Sequence, residues 1–311
     1  MRTSRRVTAS LLAAVLALAA CSAAASPSPS PSPVPPTATA GATASPTSTP
    51  NACAKENLKL LTPGTLTIGA DNPSYPPYFI PDATKPAGSI WDLGDPTNGQ
   101  GLEGATASAV AAEMGFPMAQ VTWVISIFNV ATQAGPKPFD MYLQEVSYSA
   151  DRAQAVDLSD GYFDLNQAVV GLQGNPIAAV TTVAGLKAFR LGAPVGTTSY
   201  DYIVNNIQPT QDPRVFDTLD AAISALTGKS IDGIVVDLPT AFYMRDVQIS
   251  GGTIVGSLPT IGQTEHFSIL LTKGSPLTPC VNAALAAMKT DGSLAAIVDR
   301  WITSKGAPAL K

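Results

Sequence analysis

The chain has 311 residues, 45% of them apolar and three of them Trp, which is enough for two sizeable cores and makes two lobes the natural expectation. Charged residues make up only 13%, about half the usual share, and the formal net charge is −5 with no compensating basic run. That balance argues against nucleic-acid binding, which needs clustered Lys and Arg. With His266 the only histidine and no Cys-x-x-Cys pair, the sequence also offers no recognisable metal site.

Residues 1–20 combine a basic start (Arg2, Arg5, Arg6), an apolar stretch from Leu11 to Ala20 and small residues just before Cys21, the order of an export signal. Leu18-Ala19-Ala20-Cys21 resembles the lipobox of bacterial lipoproteins. The resemblance implies that Cys21 is acylated and becomes the mature N-terminus; the alternative is an ordinary cleaved signal with an incidental Cys. The apolar run is too short for a permanent transmembrane helix. Loss of this segment would remove three basic residues and no acid, leaving the chain more acidic still. Residues 22–50, rich in Ser, Pro, Thr and Ala and free of charge and aromatic rings, cannot bury enough surface to fold, so 21–52 is expected to be a disordered tether. The two remaining cysteines, Cys53 and Cys280, are expected to form a disulfide in an oxidising compartment, two buried free thiols being the alternative.

From Leu66 onward, short apolar runs alternate with segments of helical period. LTIGAD (66–71), VTWVIS (121–126), AVVGLQ (168–173), LGAPVG (191–196), GIVVDL (233–238) and FSILLT (267–272) read as buried strands. Leu219, Ile223 and Leu226 share one helical face, with Thr218 as N-cap and Gly228 just past the end. Thr278 is expected to cap a helix with Pro279 at its first position. Asp291-Gly292-Ser293 then turns into a second helix through Leu294, Ile297, Val298 and Trp301. The alternation defines an α/β protein.

Four local features could form a site for a small zwitterion. Ser149 could cap a short helix that presents Arg152, whose planar fork suits a carboxylate; the alternative is a solvated Arg152 paired with Asp151 or Asp157. Gly196-Thr197-Thr198-Ser199-Tyr200, between a strand and a helix, offers amides and hydroxyls to an anion, or is a plain turn. Asp237 ends an apolar strand where α/β sheets bind ligands and could receive an ammonium, or could cap a loop. Asp71 through Tyr78 and Phe128 could wrap a ligand's side chain, although aromatics beside prolines are often simply packed.

In order and spacing these features resemble bacterial extracellular solute-binding proteins of family 3, the polar amino-acid binders, from about Leu66 to Trp301. SADRAQAVDLSDGYF (149–163) is similar to the family's Thr-x-x-Arg, Asp-Phe-Ser-x-x-Tyr signature. GADNPSYPPY (69–78), GLEGATASAVAAEMG (101–115), VGTTSYDYI (195–203), IDGIVVDLPTAFY (231–243) and the stretch 271–301 each resemble a family block.

The resemblance implies a periplasmic-binding-protein-like type II fold. Residues 53–163 and 266–311 would form lobe 1 and 164–265 lobe 2, each a mostly parallel sheet flanked by helices. A double hinge near Tyr162–Gln167 and Gly262–His266 would join them.

It further implies that Arg152, helped by Ser147 and the Thr197 backbone, holds an α-carboxylate. Asp237 would hold the α-ammonium, Tyr75 and Phe128 would flank the side chain, and Asp71 would contact its tip. The implied protein is a monomeric, non-catalytic lipoprotein on the outer face of the cell membrane. It would bind a polar amino acid, cationic or amide, for an ABC-transporter permease, with no cofactor. The rival class is an enzyme like the cyclohexadienyl dehydratases of the same fold, with Glu103 or Glu145 as the acid. The sequence departs from the family in three places. Glu145 stands where the family usually has Gly, Asn72-Pro73-Ser74 makes the spacing before Tyr75 one residue longer than usual, and the long loop Lys85–Gln100 with Trp91 does not align with the family. Pro194 also stands where some glutamine binders carry a Lys.

Overall fold

Leu66-Thr67-Ile68-Gly69-Ala70 is buried at every position, the pattern of a strand covered on both faces, and forms β1 (Leu66–Ala70). The computed structural model describes residues 51–85, 88–302 and 307–311, so the expected signal peptide, Cys21 and the tether up to residue 50 lie outside the described residues. All of the described residues belong to one compact unit, Thr49–Lys311.

After β1 the chain crosses over through α1 (Leu102–Glu113) to β2 (Val121–Ile125). It continues through α2 (Phe128–Ala131), β3 (Met141–Tyr142), α3 (Arg152–Ala155) and β4 (Val156–Leu158). Both β2 and β3 run parallel to β1. Gly69 is required here, because a Cβ at that position would lie 2.6 Å from the Phe139 ring. The chain then leaves along β5 (Phe163–Leu165) and builds a second sheet from β6 (Gln167–Leu172), β7 (Leu191–Pro194), β8 (Arg214–Phe216), β9 (Gly233–Asp237) and β10 (Gly252–Ser257). Its helices are α4 (Thr198–Tyr202), α5 (Leu219–Thr227) and α6 (Leu238–Tyr243). It returns on β11 (Glu265–Phe267), inserts β12 (Leu270–Thr272) between β3 and β4, and adds α7 (Thr278–Thr290) and α8 (Ser293–Trp301) against α1. The sheet orders are β2-β1-β3-β12-β4 and β10-β6-β9-β7-β8, and β5 pairs antiparallel with β11 where the chain passes twice between them.

The second sheet shows how period-two burial makes a lobe. Along β6, Ala168 and Val170 pack on one side and Val169 on the other; along β9, Ile234 and Val236 face the first cluster and Val235 the second. Each such fully buried aliphatic contributes about 1.5–3 kcal/mol relative to exposure. The first lobe adds buried rings to its aliphatics, among them Tyr78, Phe79, Trp91, Phe116 and Phe267. Cys53 and Cys280 are bonded, tying the segment before β1 to α7 across 227 residues of sequence.

Several local expectations shift. FSILLT is two strands, because Ser268 and Ile269 break the run: the Ser268 amide bonds the Val146 carbonyl and the Ile269 amide the Ser159 hydroxyl. The helix α7 starts one residue early, capped at Leu277, and the Thr278 hydroxyl donates to Asp157 instead. Thr218 does cap α5, accepting from the Ala221 amide at 3.1 Å. The segment 266–311, assigned as a whole to lobe 1, divides. Residues 307–311 run along the free edge of β10, with Ser257 and Leu310 hydrogen-bonded and Leu310 buried in the second lobe. An open sheet edge offers unpaired amides and carbonyls that such a tail satisfies. In the loop 85–100, the described stretch 88–100 is tied to the first lobe. Trp91 is buried in the first core, and the Asp92 amide and Ile90 carbonyl clasp the two ends of the Asn72 side-chain amide.

Candidate ligand-binding cleft

Arg152 opens α3, its own amide bonded to the Ser149 hydroxyl at 3.1 Å, so Ser149 does steady the turn that presents it. The guanidinium donates to the Ser147 carbonyl and, across the cleft, to the Gly196 carbonyl at 3.1 Å, and lies over the Phe128 ring at 5.3 Å. Gly196, at φ 71, adopts a backbone conformation that side-chain-bearing residues avoid. Among the described residues no carboxylate forms an ion pair with Arg152. Asp157, one alternative partner, goes to Lys273 and Thr278. Burial pulls the guanidinium's pKa below its ordinary value, against the opposing pull of Asp201, Asp237 and Glu265. Two carbonyls engage only part of a five-donor fork, leaving capacity for an anion.

On the other wall, Asp237 sits at the end of β9 and makes no capping bond to α6. Its Oδ1 accepts from the Gln167 amide at 2.6 Å. Gln167 also reaches Glu265 at 3.0 Å and accepts from Ser199 at 2.6 Å, while Thr198 donates to Glu265 at 2.6 Å. This network runs from the cleft to hinge strand β11. Burial, followed by Glu265 and Glu145, pushes the Asp237 carboxyl well above its usual range, with Gln167 and Arg152 opposing. Thr197 caps α4 by accepting from the Tyr200 amide at 3.2 Å.

Asp71 leaves β1 and accepts from the Asn72 amide at 2.7 Å and the Phe128 amide at 2.9 Å. Burial raises its pKa and those two amides lower it. Tyr75 is buried, its hydroxyl raised above its ordinary pKa by burial and by Asp220 of the second lobe.

Glu145 is held at φ 53, where a non-glycine residue costs on the order of 1–3 kcal/mol. A glycine would adopt this conformation without that cost. Its amide donates to Glu103 Oε1 at 2.6 Å, and its own Oε2 accepts at 2.9 Å from Thr240 of the second lobe, which also meets the Tyr78 hydroxyl. Burial pushes Glu145 up to about 8 and Glu103 to about 7; Tyr162 pulls Glu103 the other way. Glu103 is fully buried beneath the cleft and is not among its lining residues, so of the two acids only Glu145 faces a ligand.

All seven candidates, Asp71, Tyr75, Phe128, Ser147, Arg152, Thr197 and Asp237, line one cavity of about 270 Å³ between the lobes. Sequence reasoning passed over Gln167 and Thr240, polar residues whose partners lie far away in the chain. Among the described residues no group of three or more His, Cys, Asp or Glu is placed to hold a metal.

Two five-stranded α/β lobes, a paired double hinge and a charged cavity between them define the class: a two-lobed binding protein of type II fold. Residues 66–304 match the family described as bacterial extracellular solute-binding proteins, family 3, and the chain belongs to it. It is 27% identical over 176 residues to a probable histidine-binding protein of Neisseria gonorrhoeae, covering 55% of this chain and 64% of that relative's length. It is 25% identical over 241 residues to the L-cystine-binding protein TcyJ of Escherichia coli K12, covering 76% of this chain and 82% of the relative. The fold is similar to an ancestral arginine-binding protein bound to arginine. That match has a TM-score of 0.61 and 25% identity, and covers 77% of this chain and 99% of the other. No helix among the described residues is long and apolar enough to cross a membrane.

Proposed function

We propose that this chain is the extracytoplasmic substrate-binding lipoprotein of an ABC transporter, closing its two lobes on one polar amino acid for delivery to a membrane permease. The observation that carries the reading is Arg152, a half-buried cation that forms no ion pair with a carboxylate among the described residues, lining one cavity with Asp237. In this reading Arg152, the Ser147 region and the Thr197 turn hold the α-carboxylate, and Asp237, positioned by Gln167, holds the α-ammonium. Tyr75 and Phe128 flank the side chain and Asp71 approaches its end. The relatives' binding of histidine, cystine or arginine supports an amino-acid ligand without choosing one.

The protein acts as a monomer, tethered through a lipid on Cys21 and the Pro-rich segment. A thermal-shift screen against the twenty amino acids tests the ligand class, since a ligand at 100 times its Kd stabilises by about 2.7 kcal/mol. A protein unmoved by every amino acid does not have this function, and Cys21→Ala protein that still fractionates with membranes is not held by a lipid on that residue. A second reading, an enzyme on the same fold, draws on Glu145, a carboxyl that lines the cavity and holds its proton near neutral pH. Turnover of prephenate or arogenate by the purified protein would decide for it.

A further inference from the structure

The cavity walls carry four carboxylates, Asp71, Glu145, Asp217 and Asp237, against the single cation Arg152. A neutral amino acid brings one charge of each sign. Its carboxylate satisfies Arg152 and its ammonium satisfies one acid, so the remaining acids stay without a counter-charge. Glu145 is the most exceptional of them, held in a left-handed conformation with its carboxyl bridged to Thr240 of the opposite lobe. The titratable groups that surround it are Glu103 from α1, Asp237 from β9, Tyr142 from β3, and Tyr75, Tyr78 and Tyr162 from the loops. None is basic, and Arg152 is turned to the Ser147 and Gly196 carbonyls. Beneath it, Glu103 leaves its Oε2 buried without a hydrogen-bond partner.

We propose that Glu145 is a specificity residue, selecting amino acids with a positively charged side chain and releasing its proton to solvent as that charge enters. The proposal rests on the reading of the chain as an amino-acid clamp. In the empty clamp the carboxyl keeps its proton at pH 7, because burial beside Glu103 holds it up near 8. An opposite charge within a few Å favours the ionised form. The balance is therefore a neutral carboxyl plus a cationic ligand giving an ion pair plus one free proton. Affinity for such a ligand should rise with pH and level off above about 8. A neutral ligand gains nothing by this route.

The test is calorimetric titration of the full chain with arginine, lysine and histidine, and with glutamine and citrulline as neutral counterparts. It is run at pH 7 in two buffers of different ionisation enthalpy. Parent protein should bind at least one cationic amino acid about tenfold or more tighter than either neutral one, releasing about one proton more than the neutral ligands do, since ionisation of Asp237 by the α-ammonium is common to all of them. Glu145→Gln keeps the shape and the Thr240 contact and should lose both the preference and the extra proton released with the cationic ligand, while still binding citrulline. Glu145→Gly, which suits the backbone conformation, should behave alike and covers poor folding of the first variant. Equal or tighter binding of the neutral amino acids, or an unchanged preference in both variants, overturns the role of Glu145 and leaves the clamp standing. Failure of every amino acid to bind the parent overturns both.

Discussion

The two lobes meet the same cavity with different materials. The first has a core of aliphatics interleaved with rings, a disulfide and a floor of buried acids, and its Arg152 is clasped by carbonyls. The second is an aliphatic sandwich of Val, Ile, Leu and Ala, and its Asp237 hangs from Gln167 in a polar network that ends on hinge strand β11. One wall is anchored in its own core and the other is wired to the hinge. A charge placed on the first wall can be desolvated at fixed geometry, whereas a charge on the second is positioned relative to the segment about which the lobes pivot.

The largest effect should come from removing either charge of this opposition. Arg152→Ala or Asp237→Ala leaves a ligand charge unpaired in a closed cavity, at a cost of about 2–5 kcal/mol of binding. Arg214→Ala, on an exposed position of β8, should leave affinity unchanged. A ligand without its α-carboxylate should lose far less affinity for Arg152→Ala than for the parent. If Arg152→Ala binds amino acids as tightly as the parent, the carboxylate is held elsewhere.

A second break isolates the first lobe. The Cys53–Cys280 bond closes a loop of more than two hundred residues that contains every strand and helix of the second lobe, and removing it should cost about 2–5 kcal/mol of stability. Neither cysteine lines the cleft, so Cys53→Ser with Cys280→Ser should lower the melting temperature while ligand affinity persists. An equal loss of both would mean that the staple shapes the site.

Legibility in the sequence followed the same contrast. Central strands β1, β6, β7 and β9 are continuous apolar runs because they are covered on both faces, and such runs are readable without partners. The two- and three-residue strands β3, β4, β5 and β8 owe their pairing to neighbours distant in sequence, and carry no periodicity long enough to detect. At the site, Arg152 and Asp237 were visible as a rare cation and a carboxylate ending an apolar run. Gln167 and Thr240 were not, since their roles depend on Asp237, 70 residues on, and Glu145, 95 residues back. Glu145 was visible only as a departure from a pattern.

The smallest predicted effect separates two acids, Glu103 of the first lobe and Asp232 of the second, by the sign of their pH response. Glu103 in the first lobe's floor is raised from 4.5 to about 7, chiefly by burial, so between those values the folded protein keeps a proton that the unfolded chain gives up. Stability from this group is complete below about pH 4.5 and is lost as pH rises through 7, on the order of 1–3 kcal/mol by pH 8, and Glu145 adds to the same trend. Asp232 in the second lobe behaves oppositely. The Arg190 fork holds it down at about 2, so its contribution is present above 3.8 and disappears only as pH falls through 2. Between pH 5 and 8 Asp232 is therefore silent and Glu103 is not, while Asp237 on the cleft wall, also raised by burial, follows the direction of Glu103. Glu103→Gln keeps an acceptor for the Tyr162 hydroxyl and the Glu145 amide while removing the charge. Denaturant titrations should find it more stable than the parent at pH 8, with a shallower decline from pH 5, whereas Arg190→Ala should keep the parent's slope over that range. A parent whose stability is flat from pH 5 to 8, or a Glu103→Gln variant that is weaker at pH 8, would show that the floor of the first lobe tolerates its charges as easily as the surface of the second.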